Sequence, residues 1–506
     1  MNTEYQDVII VGAGLSGIGA AYHIAKNCPN KSLAILESRE SMGGTWDFFR
    51  YPGIRSDSDM FTLGYNFKPW RGADAIADSA SILNYIKEAA YIKVAANKHS
   101  LADKIRYQHK VVSMSWCSKN AKWTLQLLVN GEPRTMSCNF LLSCTGYYNY
   151  DKGFTPNFQG KDDFNGQFFH PQQWPEDLNY TDKKIVVIGS GATAVTLVPE
   201  LAKKSKHVTM LQRSPSYVAT VPKQDKTAKK LRKILPEKWV YRIIRARKVT
   251  FTLLLYKYCR AFPQHARKFF TGMAKKQLGK DFDIKHFSPS YAPWDERLCA
   301  VPNGDLFKTL RSGQAQVVTD TIDSFTSNGI KLNSGKTLEA DIIVSATGLD
   351  LKMMGGIDIK VDGQPFKIED SMVYRGVLVE NLPNVGSIFG YTNASWTLKS
   401  DLTSEFVCRI INHMDKTHTQ QCRAVNSDKR MGTTPFIDMN SGYIHRAANK
   451  MPQQGSKIPW RLYQNYFKDM FMLRLGRVND GVLQFEKVHT QEEPVCAEAN
   501  VTQTSL

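Results

Sequence analysis

Short apolar runs recur along the chain, each ending in a turn and followed by a stretch of helical period. Residues 7–11 (Asp-Val-Ile-Ile-Val) are too few for a helix and rich in β-branched side chains, which predicts a buried strand. Residues 18–26 then place apolar positions at helical spacing, and residues 33–36 give a second strand. The same succession returns with the runs at 184–188 and 208–212. Helical period is also predicted over 74–94, a pair of strands over 111–130, an apolar strand at 140–144, strands over 317–330, and a helix ending near Met414. Alternating strands and helices predict an α/β fold with parallel sheets.

The turn after each first strand is rich in glycine. The first reads Gly12-Ala13-Gly14-Leu15-Ser16-Gly17 and the second Gly189-Ser190-Gly191-Ala192-Thr193-Ala194. In such a turn the first glycine permits the tight bend and the second lets backbone N–H groups approach a pyrophosphate at the helix N-terminus. The third position, Gly17 or Ala194, lets helix and strand pack closely. Glu37 ends the second strand of the first unit, where a carboxylate receives ribose hydroxyls and repels a 2′-phosphate. That unit is expected to hold FAD or NAD. In the second unit the equivalent strand ends at Arg213-Ser214, and a guanidinium there suits the 2′-phosphate of NADPH. The fold expected is therefore two Rossmann-like dinucleotide-binding domains, for FAD and NADP.

Composition sets the broad class. At 506 residues the chain exceeds a single core, and 42% hydrophobic with 22% charged residues is ordinary for a globular protein. Neither a signal core nor an apolar run of membrane-spanning length (~18 residues) is predicted. Nine scattered cysteines without metal-ligand spacing point to a reducing compartment, the cytoplasm, and to no metal site. The net charge of +19 is concentrated: residues 223–285 hold 19 Lys and Arg against 4 Asp and Glu, an excess of 19 − 4 = 15. A solvated helical face explains this blandly. A surface drawn to anionic lipid, with a field that also guides NADPH, is the sharper reading.

Between the two glycine turns lies Phe164-Asn165-Gly166-Gln167-Phe168-Phe169-His170-Pro171-Gln172-Gln173-Trp174-Pro175. Its pattern F-x-G-x-x-x-H-x-x-x-W-P resembles the fingerprint of Baeyer–Villiger monooxygenases, a branch of the FAD- and NADPH-dependent flavoprotein monooxygenases. Gly43-Gly44-Thr45-Trp46 followed by Tyr51-Pro52-Gly53 and Asp57 is similar to a second signature of that family. The resemblance runs over residues 5–487 and is nearest to the ethionamide-activating subgroup. It divides the chain into an FAD-binding domain (1–150 and 346–490), a fingerprint linker (151–183), an NADP-binding domain (184–223 and 291–345), a basic helical insertion (224–290) and a disordered tail (491–506).

The resemblance implies Arg297 as the cation facing the flavin and Asp57 as its partner. It implies contacts to cofactor from Gly44, Thr45, Trp46, Asp57 and Asp59, although local spacing also allows Asp57 and Asp59 to cap a helix or loop. Phe164, Gly166, His170, Trp174 and Pro175 are read as a hinge rather than as proton donors. Glu296 stands where relatives often carry a basic residue toward the 2′-phosphate, a departure that counts against NADPH and makes Arg213 the residue to test. Residues 441–443 and 459–460 are expected to cover the pocket. The activity implied is insertion of one oxygen atom from O2 into a ketone through a flavin C4a-peroxide, giving an ester or lactone, with sulfides as further substrates. The alternatives are an N- or S-oxygenating flavin monooxygenase, and a basic membrane- or nucleic-acid-associated protein with a vestigial nucleotide fold. The intact glycine turns, Arg213 and the fingerprint weigh against the latter, so no nucleic-acid partner is expected; peripheral membrane contact through 224–290 is retained.

Overall fold

The computed structural model describes residues 3–94, 100–296 and 298–488. Arg297 and the 491–506 tail lie outside the described residues. Two sheets carry the two nucleotide turns. In the first, Glu4–Val11 runs parallel to Leu33–Leu36 on one side and to Glu132–Ser143 on the other. This sheet has eleven strands and continues through an antiparallel meander, His109–Cys117, Lys122–Val129 and Glu132–Ser143. The apolar run at 140–144 is thus the inner end of a 12-residue strand whose outer half alternates burial. In the second sheet, Lys184–Ile188 lies between His207–Gln212 and Ile342–Ser345, all parallel. Continuous apolar runs suit these strands because helices cover them.

The helical period expected over 74–94 is realised only as Ser79–Ala90. Asp78 caps it, its carboxylate accepting from the Ser81 N–H at 2.7 Å, and fixes the start that periodicity alone extended. The insertion is helical as expected, with Lys226–Leu231, Glu237–Ala261 and Pro263–Leu278. It is not only a solvated face. Arg245 is buried, and its Nη1 donates to the carbonyls of Phe61, Thr62 and Gly64 at 2.9, 3.1 and 2.8 Å. It thereby satisfies the open end of the short helix Met60–Leu63.

The fingerprint is part of the second sheet rather than a bare linker. Gln167–Phe169 adds a parallel edge strand to Ile342–Ser345. Phe164 is buried edge-on to Phe325, and Gly166 passes so close to the Asp341 carbonyl that a Cβ would stand 2.4 Å from it. His170 Nε2–H donates to the Gly348 carbonyl at 2.8 Å while Nδ1 accepts from the Gln172 N–H at 3.1 Å. Burial holds this imidazole below its usual pKa, which favours its neutral form. Trp174 packs edge-on to Phe169 at 5.1 Å, and the Pro175 carbonyl accepts from Leu178 N–H at 3.4 Å. Gly348 belongs to one of two crossovers between the sheets, which pair antiparallel as Tyr148–Gly153 with Leu349–Leu351. His170 therefore ties the fingerprint to the joint. Gly153 must lack a side chain there, since a Cβ would lie 2.2 Å from the His170 ring.

Candidate functional site

One cavity of about 450 Å³ runs along the C-terminal ends of the first sheet and reaches the second glycine turn. Its floor is backbone. Gly12 has φ +102° and passes under the Cys144 carbonyl, which a Cβ would approach to 2.7 Å. Gly14 and Gly44 face each other closely enough that a Cβ on Gly44 would stand 3.1 Å from the Gly14 Cα. Gly17, buried in the helix Leu15–Asn27, packs on the Gly12 carbonyl. Glu37 is buried at the rim, its Oε2 accepting from Ala13 N–H at 2.8 Å and its Oε1 from Arg39 N–H at 3.0 Å. The carboxylate is thus oriented by the glycine turn itself.

The walls are aromatic. Trp46, Phe49, Tyr51, Tyr147, Tyr150 and Trp396 line the cavity. Tyr147 stacks on Trp396 at 5.3 Å, and Trp396 Nε1–H donates to Ser16 Oγ at 2.7 Å, fixing the indole against the first glycine turn. Thr45 begins the short helix Thr45–Phe48 and its hydroxyl meets the Tyr150 hydroxyl at 3.5 Å. Burial pushes the Tyr150 phenol up to about 12, so it remains a neutral donor. Trp396 is also the first residue of the helix Trp396–Thr417, whose positive end therefore faces the cavity. The buried carboxylate, the glycine floor and the flat aromatic walls fit the ribose, pyrophosphate and ring system of FAD.

Asp57 is exposed to this cavity and lines it. Asp59 does not line it. It caps Met60–Leu63, accepting from Phe61 N–H at 2.9 Å, and pairs with Lys248 Nζ of the insertion at 2.8 Å. The capping alternative therefore describes Asp59. Arg55, which sequence reading passed over, lines the cavity beside Asp57. Its Nη1 pairs with Asp305 at 2.5 Å, while Nε and Nη2 are buried and have no hydrogen-bond partner among the described residues. No local pattern marks Arg55, because its carboxylate partner stands 250 positions away. Tyr147, Tyr148 and Tyr150 could have been found: they follow the strand that ends in Thr145-Gly146, at the crevice.

At the second turn Gly189, at φ +134°, passes under the Ala346 carbonyl, with 2.3 Å to a hypothetical Cβ. A Cβ on Gly191 would meet nothing within 4 Å, so the backbone is open to a ligand. Ala194 is fully buried in the helix Ala192–Leu201. Ala192, Thr193 and Thr196 of that helix line the same cavity as Glu37. Arg213 is exposed after the strand His207–Gln212, and the Ser214 carbonyl accepts from Ser190 Oγ at 3.1 Å. Burial raises the Glu296 carboxyl above its ordinary 4.5, while the charge of Arg213 pulls it back. Glu296 thus stands within electrostatic reach of the guanidinium expected to bind the 2′-phosphate. An open turn with an exposed arginine fits NADP, and the carboxylate weakens that fit without closing it.

Residues 441–443 and 459–460 do not line the cavity. Trp460 is buried edge-on to Tyr374, and Tyr443 packs in a small cluster with Leu351 and Ile444. Among the described residues no group of His, Cys, Asp or Glu could hold a metal, and none of the eight described cysteines is in a disulfide.

Residues 5–421 match the family model described as flavin-binding monooxygenase-like. The chain is 50% identical over 487 residues to the FAD-containing monooxygenase EthA of Mycobacterium tuberculosis, covering 96% of this chain and 98% of that protein. The same figures hold for EthA of Mycolicibacterium smegmatis. Among solved structures, an oxidised steroid monooxygenase bound to NADP superposes with a TM-score of 0.73 at 20% identity, covering 96% of this chain and 100% of that one.

Proposed function

The chain belongs to the flavin-binding monooxygenase-like family, and from that premise we propose that it is an FAD-dependent, NADPH-consuming Baeyer–Villiger monooxygenase. Its substrate is a ketone, converted to an ester or lactone with one oxygen atom from O2, and sulfides are oxidised as well. The observation that carries this reading is the single cavity joining Glu37 and the first glycine turn to Ala192 and Thr193 at the second. Two nucleotides held there meet at one site. Bound flavin supplies the oxygen chemistry when NADPH has reduced it.

The residues of this chain bind, orient and shield. Gly12, Gly14 and the start of Leu15–Asn27 present backbone N–H groups to the pyrophosphate, and Glu37 receives the ribose. Trp46, Tyr147 and Trp396 exclude water from the ring system. The N-terminus of Trp396–Thr417 and the guanidinium of Arg297 stabilise negative charge that develops on the substrate oxygen. Asp57, on the cavity wall, holds Arg297 in place. Arg213 and Ser214 receive the 2′-phosphate. His170 couples the two modules through Gly348, and Trp174 supports the fingerprint by packing on Phe169. The same proposal includes peripheral membrane contact through residues 224–290, supported by their excess of basic side chains.

The test is a panel of ketones, aryl sulfides and tertiary amines, with product and NADPH oxidation measured side by side. Ester from a linear 2-alkanone supports the reading; oxidised sulfide or amine without any ester assigns the protein to the N- or S-oxygenating branch. Arg297→Ala is expected to retain flavin reduction by NADPH but to lose ester formation by at least ~10²-fold. Wild-type ester formation by that variant removes Arg297 from the mechanism.

A further inference from the structure

The insertion carries an apolar stripe that the packing of the molecule does not use. Trp239, Ile243, Phe251, Leu254, Tyr258 and Phe262 are all exposed, Phe251 at 61% and Leu254 at 59%. Their spacing keeps them within an arc of roughly 140° around the helix Glu237–Ala261 and its C-cap, an arc that Val240 and Ile244 share near the helix start, so the exposed face shifts along the helix. Other positions do the packing, where Val240, Tyr241, Ile244 and Val249 are buried. Ile234 precedes the stripe in sequence, and Phe269 is exposed on the next helix, Pro263–Leu278. Eight of the fourteen large apolar side chains exposed among the described residues therefore fall within residues 234–269. A helix that exposes this many large apolar side chains besides those it packs is not an ordinary solvated helix, and apolar clustering of this kind marks an interaction surface.

Charge selects the occupant. Lys238, Arg242 and Lys257 are exposed on the same helix, and the Arg242 guanidinium lies 5.5 Å from the Trp239 ring. With 19 basic against 4 acidic residues between 223 and 285, two copies of this face repel each other. Nucleic acid would match the charge but offers no use for the aliphatic Ile243, Leu254 and Ile234, which cannot stack on bases. An anionic bilayer matches both properties: headgroups for the lysines and arginines, and an acyl boundary for the apolar side chains. No helix among the described residues is long and apolar enough to cross a membrane, so the contact is made from one side.

We propose that the stripe Trp239–Phe262, with Phe269, inserts into the interfacial layer of an anionic lipid bilayer while the flanking basic side chains hold the headgroups. This deepens the peripheral-contact reading and rests on it; it does not depend on the reaction the enzyme performs. It also orients the molecule. Val249, on the packed side of the same helix, lies in one cluster with Tyr391 and Leu398, and Tyr391 lines the cavity. The bilayer is thereby placed about one helix diameter, ~10 Å, from the cavity wall.

The experiment uses the full-length flavin-loaded protein and phosphatidylcholine vesicles made with and without phosphatidylglycerol. Co-sedimentation is expected only with phosphatidylglycerol, decreasing as salt is raised. The double variant Phe251→Glu with Leu254→Glu is expected to bind at least ~10-fold more weakly. Its flavin absorbance and thermal midpoint should match wild type, since both positions are exposed. Sedimentation with neither vesicle overturns the peripheral-contact reading and this inference together. Sedimentation that the double variant retains leaves peripheral contact standing through charge alone and overturns the inserted stripe. Equal binding to phosphatidylcholine alone overturns the anionic partner. A dimer in solution that the double variant abolishes assigns the stripe to a second copy, which also overturns it.

Discussion

In the proposed reading Glu37 sets the polarity of the first crevice and Arg213 that of the second. The buried Glu37 carboxylate already accepts two backbone N–H groups, so it reaches a ribose without rearranging. Glu37→Gln keeps the shape and removes the charge. Hydrogen bonds to charged groups contribute about 1.5–3 kcal/mol, so FAD is expected to dissociate roughly 10- to 100-fold more readily, read by released-flavin fluorescence on dialysis. Unchanged affinity would remove Glu37 from the FAD site. Glu296 gives the second crevice a pH dependence. Burial raises its carboxyl, so as pH falls Glu296 takes up a proton before an ordinary carboxylate does and then no longer opposes the 2′-phosphate. As pH rises through the raised value the carboxylate forms, and KM for NADPH is expected to increase. Glu296→Gln should flatten that profile and lower KM by about threefold to tenfold, the size of a partly screened charge pair. A variant profile identical to wild type would contradict it. The positions of Glu37 and Arg213, each just after a strand, were legible because a strand end fixes where the next side chain must lie. Arg55 was not, because its partner Asp305 comes from a distant helix.

At the scale of elements, period identified the strands and turns but not every boundary. Asp78 starts its helix five residues later than apolar spacing suggests, because a carboxylate at the N-cap satisfies backbone donors that periodicity cannot sense. The fingerprint read as a hinge from its pattern, yet only the sheet register shows that Gln167–Phe169 closes the edge of the second module. The insertion read as basic and helical, but nothing local separates buried Arg245 from its exposed neighbours. Arg245 caps Met60–Leu63 and approaches Asp401, which also meets His23 Nε2 at 3.2 Å. Arg245→Met leaves a buried carboxylate short of its cation and three carbonyls without their donor. Breaking such an arrangement costs about 3–5 kcal/mol, so a marked fall in the denaturation midpoint is expected, with flavin still bound below the transition. A midpoint within experimental error of wild type would mean that the insertion docks without this residue.

For the whole molecule, two nucleotide crevices facing one cavity across two paired crossovers follow from the order of the chain. The first module is left at 146–153, the second is traversed, and the chain returns at 346–351 beside its own exit. This much was readable, since two glycine turns with opposite charge at equivalent strand ends demand two modules. The stacking of Tyr147 on Trp396, which closes the aromatic wall, and the exposed apolar stripe were not, because the first joins segments distant in sequence and the second shows only in exposure. The central claim is that electrons from NADPH and one atom of O2 meet a ketone in this cavity. The most direct measurement is turnover of a linear 2-alkanone by the flavin-loaded protein under ¹⁸O2, with the product analysed by mass spectrometry. One labelled oxygen in the ester, formed in step with NADPH consumed, is the predicted result; NADPH consumed with hydrogen peroxide as the sole product, across the whole substrate panel, would contradict it.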